Sequence, residues 1–231
     1  MLEALAAVSN LPVPHYERIA PDGSFAGYRR IGGEELTEVR FAALPRAAQE
    51  RAIDQIGEFL AHLHRLPPSL TADVEKVQWN GRVQAERYAG RRERYVDILA
   101  PPMLARVDAF FAALARQPGP PQLRMVHNDF TEDHILIEGE RLTGIIDFTD
   151  AGPDDPAFDF TFLWAYADWA PGRALDAYVA GAEREAMLSR SRWQYVRYRI
   201  EQLWWNAGGF RAYDTAKVLK ELPEQLDYLE V

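Results

Sequence analysis

Between His127 and Asp159 the chain gathers His127, Asp129, Asp133, His134, Asp147, Asp150, Asp154, Asp155 and Asp159, a density of carboxylates and imidazoles far above its average. Two kinds of chemistry suit such residues. A carboxylate can accept or orient the proton of an attacking hydroxyl, and a mixed imidazole and carboxylate set can hold a divalent metal. Phosphoryl transfer from a nucleotide needs both, because metal neutralises the phosphates while a carboxylate handles the nucleophile. Chemistry based on sulfur is excluded, since the chain has no cysteine and therefore no disulfide, zinc thiolate, iron–sulfur cluster or cysteine nucleophile.

These side chains act together only if the backbone converges. Leu123 to Val126, His134 to Ile137 and Leu142 to Ile146 are short apolar and β-branched runs, and Glu138-Gly139-Glu140-Arg141 joins the last two as a hairpin turn. Antiparallel pairing about that turn sets residue 134 opposite 145 and residue 132 opposite 147. His134 and Asp147 then emerge at one open end of the hairpin, with Asp129 on the loop before it. Upstream, the spacing predicts a short helix over Leu2 to Val8 and a hairpin over Pro14 to Ile31 around the turn Pro21-Asp22-Gly23. An amphipathic helix is expected from Pro45 to Leu66, with Ile53, Ile56, Leu60 and Leu63 at intervals of three and four. Helices are also expected over Val83 to Leu99 and Met103 to Arg116, and from about Ala157 onward with breaks at Pro171-Gly172, near Ser189 and at Gly208-Gly209.

With 231 residues, 48% of them apolar and 26% charged, the chain has the composition of a soluble globular protein of one large domain or two small ones. No run is long enough to span a membrane and Met1 to Asn10 lacks the basic start of a secretory signal, so a cytoplasmic protein is expected. The net charge of −9 argues against nonspecific nucleic-acid binding.

The run from His127 to His134 (HxDxxxxH), Ile145 to Asp150 (IIDFTD) and Asp154 to Phe160 (DDPAFDF) resemble the aminoglycoside phosphotransferases, kinase-like enzymes acting on small molecules, and most closely the subfamily that modifies the 2″ hydroxyl. The resemblance implies an α+β, protein-kinase-like fold: a truncated N-terminal β lobe with hinge over residues 1–33, and a mostly helical C-terminal catalytic and substrate-binding lobe with a catalytic β-hairpin over 34–231. It implies Asp129 as the catalytic aspartate, Asp147 and His134 as metal-holding residues, and His127 and Asp159 as braces of the catalytic loop. Mg2+ with ATP or GTP would be the donor, and a small hydroxyl-bearing molecule, cationic and aminoglycoside-like, the acceptor. Leu11-Pro12-Val13-Pro14 resembles the junction before the family's fourth strand, which makes Tyr28 to Gly33 the fifth strand and hinge and implies that the backbone of Arg29 and Ile31 meets the purine.

Members of that family carry further strands, a phosphate-covering loop and a phosphate-gripping lysine ahead of this junction. Here the lysines are Lys76, Lys217 and Lys220, and Glu3 lies too close to the junction to stand for the family's helix glutamate. A two-stranded remnant exposes a sheet edge, a route to a homo-oligomer. The departures support a second reading, a noncatalytic kinase-like binding module; a third is a metal-dependent hydrolase using His127, Asp129, His134 and Asp147 directly. Plainer roles also fit single residues: His134 as a buried histidine bonded to a carbonyl, Asp150, Asp154 and Asp155 as loop and cap residues, and Arg91, Arg92 and Arg94 as a solvated helix face. His62 and His64, two apart on a helix, point to different faces and do not share a metal. His15 has no chemical company. Trp193, Tyr195, Tyr198, Trp204, Trp205, Phe210 and Tyr213 read as core, although the adjacent Trp204 and Trp205 cannot both face it.

Overall fold

The structure, a computed structural model, describes residues 1–71, 80–178, 182–209 and 213–230. In chain order its elements begin with α1 (Leu2–Ala6), β1 (Tyr16–Ile19), β2 (Ala26–Tyr28), β3 (Glu34–Glu35), α2 (Glu38–Ala43) and α3 (Arg46–His64). There follow α4 (Gly81–Ala89), α5 (Glu93–Val96), α6 (Pro101–Leu114), β4 (Arg124–Val126), β5 (Ile135–Glu138), β6 (Arg141–Ile145) and β7 (Gly152–Asp154). The chain ends with α7 (Leu163–Tyr166), α8 (Ala170–Tyr178), α9 (Ala182–Ala207) and α10 (Thr215–Tyr228). Phe210 lies outside the described residues.

Two compact units form, one from Met1–Lys76 with Gln122–Leu188 and the other from Val77–Pro121 with Ser189–Val231. Residue 33, where the sequence sets the hinge, lies in the first unit, which contains all the strands found among the described residues.

In the first unit β1 and β2 pair antiparallel, Tyr16 with Tyr28 and Ile19 with Ala26. Their turn follows from its residues: Asp22 Oδ1 accepts from the Ser24 amide at 3.1 Å and hydroxyl at 2.7 Å, and Gly23 takes φ 71°, a left-handed conformation that glycine adopts without strain. A second sheet has the order β3-β5-β6 and a third pairs β4 with β7. The core beneath them is built on the apolar stripe of α3, whose Ile53, Ile56, Leu60 and Leu63 are fully buried as their spacing predicts. Gly57 lets α8 approach so closely that a Cβ there would meet the Ala174 carbonyl oxygen.

In the second unit the helix expected over Val83 to Leu99 is two shorter ones, because α4 stops at Gly90, a residue with little helix propensity. The α6 helix starts on Pro101 and Pro102 rather than after them; the first turn needs no donated N–H. For the same reason Pro171 lies in the first turn of α8 and does not break it. No break occurs near Ser189, whereas Gly208-Gly209 does follow the end of α9. Trp204 is buried with the guanidinium of Arg91 4.2 Å from its ring centre, and Trp205 sits half-buried beside Tyr198 and Tyr213. Arg92 pairs with Asp108 at 2.6 Å, so the arginine cluster does more than face solvent.

Candidate active site

The loop after β4 is held from below by one carboxylate. Asp159, fully buried in a 3-10 turn that Asp155 caps by accepting the Ala157 amide at 3.0 Å, accepts three bonds. The amide of His127 donates to Oδ2 at 2.7 Å, that of Asn128 donates to Oδ1 at 3.0 Å, and His64 Nε2 lies 2.9 Å from Oδ2. A buried ionised carboxylate is tolerable only with such donors. Pulling two consecutive amides toward one carboxylate turns the backbone, and Asn128 takes φ 67°, a left-handed conformation that asparagine tolerates better than most residues. Its Nδ2 donates to the Asp150 carbonyl at 3.0 Å. The chain reverses there and sends Asp129 outward.

The fully buried His127 packs against Phe148 with ring centres 4.6 Å apart, and its Nε2 lies 3.0 Å from the Ile146 carbonyl. Burial pushes its imidazole below the usual histidine range, which disfavours the charged form. His127 thus ties the Asp129 loop to the strand that delivers Asp147.

Asp129, His134 and Asp147 do converge. His134 Nδ1 donates to the Asp129 carbonyl at 2.7 Å and lies 3.4 Å from Asp129 Oδ2, while its Nε2 lies 3.7 Å from Asp147 Oδ2. With Nδ1 committed to that carbonyl, Nε2 is the ring nitrogen turned toward the Asp147 carboxylate. Burial raises the Asp129 carboxyl above its ordinary range, with the nearby His134 opposing. Asp147 is held below its range, chiefly by the Thr149 hydroxyl donating to Oδ1 at 2.7 Å. One partly buried carboxylate is thus a better proton acceptor than its neighbour, which stays ionised.

The hairpin register differs by one from the expected pairing of 134 with 145. Near the turn Ile137 faces Leu142, but beyond a bulge at Thr143 Leu136 faces Gly144 and Ile135 faces Ile145. His134 therefore stands opposite Ile146, whose amide donates to its carbonyl at 3.0 Å. The bulge follows from Thr143 Oγ1 donating to the Gly32 carbonyl at 2.6 Å, a contact from a distant segment that turn chemistry cannot encode.

His134 Nε2 and Asp147 Oδ2 stand 3.7 Å apart, and among the described residues no three His, Asp or Glu side chains form a metal cage. Two protein donors suit an ion that keeps water and substrate phosphates as its other ligands, which is how Mg2+ is usually bound. Arg29 and Ile31 are not in this cluster. Arg29 is exposed and 3.5 Å from Glu17, and Ile31 packs on Gly144. An open cleft of about 390 Å³ is lined by Met1, Leu2, Glu3, His15, Tyr16, Ile19, Phe148 and Thr149, without either of them. His15 thus has company that its sequence neighbours do not reveal.

Sequence reasoning missed His64. The comparison with His62 asked only about a shared metal, whereas His64 follows Leu60 by one turn on the buried stripe of α3, where a polar residue requires a partner.

A family model described as the phosphotransferase enzyme family matches residues 1–195. A homoserine kinase from Mesorhizobium japonicum is 28% identical over 173 residues, 65% of this chain and 51% of that protein, so the chain spans about half the length of this curated relative. Among solved structures, wild-type aminoglycoside 2′-phosphotransferase-IIIa with GDP superposes with TM-score 0.74 at 23% identity, covering 98% of this chain and 79% of that one. A macrolide 2′-phosphotransferase from Brachybacterium faecium gives 0.61 at 18% identity, covering 97% and 77%. At such identities these structures establish the fold: α+β, protein-kinase-like and mostly helical.

Proposed function

The chain belongs to the phosphotransferase enzyme family, and on that premise we propose that it moves the γ-phosphate of ATP or GTP to a hydroxyl of a small, cationic, aminoglycoside-like molecule. The observation that carries the reading is the convergence of Asp129, His134 and Asp147, with His134 3.4 Å from one carboxylate and 3.7 Å from the other. Asp129 accepts the proton of the acceptor hydroxyl as its oxygen bonds to the γ-phosphorus, and the nucleoside diphosphate leaves. Its raised carboxyl pKa fits that role. Asp147 and His134 hold Mg2+, which supplies charge neutralisation on the phosphates. The backbone of Arg29 and Ile31 serves the purine, and His127 and Asp159 keep the loop in place.

Supporting the reading, the relatives include enzymes named for homoserine, aminoglycosides and macrolides, and solved neighbours were obtained with GDP or ADP. What these acceptors share is a hydroxyl. The choice of a cationic one rests on the chain's acidity and on the aminoglycoside enzymes among its neighbours.

One observation favours a second reading. Residues 1–75 contain no lysine, so this segment supplies no lysine ammonium to the phosphates, which suits a noncatalytic kinase-like binding module. Calorimetry separates the two: acceptor-dependent turnover with measurable binding of magnesium nucleotide supports the enzyme, and a folded protein that binds neither ATP nor GTP supports the module.

A further inference from the structure

We infer that Glu132 is a positioning residue for phosphoryl transfer, a tether that fixes the turn delivering His134 against the segment between Gly33 and α2; this rests on the phosphotransfer reading above. The half-buried Glu132 opens the 3-10 turn Glu132–His134, and its Oε2 accepts the Glu38 amide at 2.8 Å across 94 residues of chain. Glu38 is the first residue of α2, where an amide has no acceptor within its own helix. The Thr37 hydroxyl accepts from the Arg40 amide at 3.2 Å and leaves that of Glu38 to the distant carboxylate.

The far end of the tether is a fixed body. Glu34 and Glu35 of β3 pair with Ile137 and Leu136, and the Leu36 amide donates to the Ile135 carbonyl at 2.8 Å. The buried Tyr166 donates its hydroxyl to the Leu36 carbonyl at 2.6 Å and stacks on the buried Phe41 of α2 with ring centres 4.5 Å apart. The near end reaches the site directly. The Ile135 amide closes the turn on the Glu132 carbonyl, the His134 amide donates to the Thr131 carbonyl at 3.1 Å, and the Thr131 amide donates to the Asp129 carbonyl at 2.9 Å. That same carbonyl accepts from His134 Nδ1. The turn therefore moves as one piece, and the Glu132 side chain sets its angle to α2. Without the carboxylate, the Glu38 amide loses its acceptor and the turn loses its hold on the helix. His134 Nε2 then drifts from its place 3.7 Å from Asp147 Oδ2, and the Asp129 carbonyl follows. A cap that served α2 alone would leave His134 where it is.

Two substitutions separate these roles. Glu132→Ala removes the acceptor, whereas Glu132→Gln keeps a side-chain oxygen that can accept the same amide. Amide hydrogen exchange by NMR is read at Glu38 and His134, with the amides of Leu36 and Ile145 as internal references. Binding of Mn2+ in the presence of ATP is read by electron paramagnetic resonance, alongside kcat and KM for the acceptor. In the Ala variant, exchange at both Glu38 and His134 should rise at least about tenfold with the references within about twofold. Its Mn2+ affinity should fall about 5- to 20-fold and kcat about 10- to 100-fold, with KM for the acceptor within about twofold. Gln should return every readout to within about threefold of wild type.

A folded Ala variant in which exchange rises at Glu38 but not at His134 overturns the proposal, because the carboxylate then serves α2 alone. Wild-type exchange at Glu38 also overturns it, as does a rise that extends to the references, or unchanged Mn2+ affinity and kcat in an active enzyme. If Ala does not fold, Glu132→Asp, one methylene too short to reach, is read by the same criteria, and failure of both to fold makes Glu132 a structural residue and overturns the proposal. The exchange readout needs no turnover. A wild-type protein that phosphorylates no acceptor, while its Ala variant shows faster exchange at both Glu38 and His134, counts against the phosphotransfer reading alone.

Discussion

Asp129 and Asp147 lie on either side of His134 in unlike surroundings, and that contrast yields two predictions. Asp129→Asn keeps size and backbone bonding but cannot accept a proton, so turnover should fall by about 10² to 10⁴-fold while the unfolding transition stays in place; a steady-state assay beside thermal unfolding checks it. The second concerns pH. Because burial raises the Asp129 carboxyl above 3.8, it protonates sooner as pH falls, and the acid limb of kcat/KM should lie above the ordinary carboxylate value. A limb at or below that value in the pH profile would remove Asp129 as the ionising group. The residue types, their order and their convergence were legible because a hairpin brings its open ends together whatever else the fold does. His64 was not, because its partner Asp159 is 95 residues away and only packing reveals the pair.

At the scale of elements, β6 is where the distant segments meet. Pro12 accepts the Ile145 amide at 2.9 Å, Gly32 accepts the Thr143 hydroxyl, and a Cβ on Gly144 would lie 2.8 Å from both the Pro12 carbonyl oxygen and Ile31 Cγ2. Gly144→Ala should therefore destabilise the protein by about 1–3 kcal/mol, since backbone and the Ile31 methyl must both yield. An unchanged urea midpoint would show that the strand does not lie so close. The same crossing explains the one-residue error in register: turn residues set pairing near Gly139, and the bulge at Thr143 answers to a neighbour from residue 32. Helices were legible where apolar spacing was sustained, as along α3, and misread where punctuation was ambiguous. Proline in the first turns of α6 and α8 begins a helix, whereas the same residue deeper inside would end one.

For the whole molecule, the proposed role of Asp147 and His134 in holding Mg2+ makes nucleotide binding depend on the metal. Titration of ATP with a chelator present should then give no measurable heat, and Mg2+ should restore binding; equal affinity with and without Mg2+ would contradict that assignment. The acceptor was not legible, because relatives of one fold are named for quite different molecules. The most direct test is a magnesium-dependent turnover assay with ATP and GTP offered separately against aminoglycosides, homoserine and other small amino-alcohols, run in parallel on wild type and Asp129→Asn. The account predicts release of ADP or GDP that depends on an acceptor and disappears in the variant. Acceptor-dependent release that persists undiminished in Asp129→Asn would contradict it.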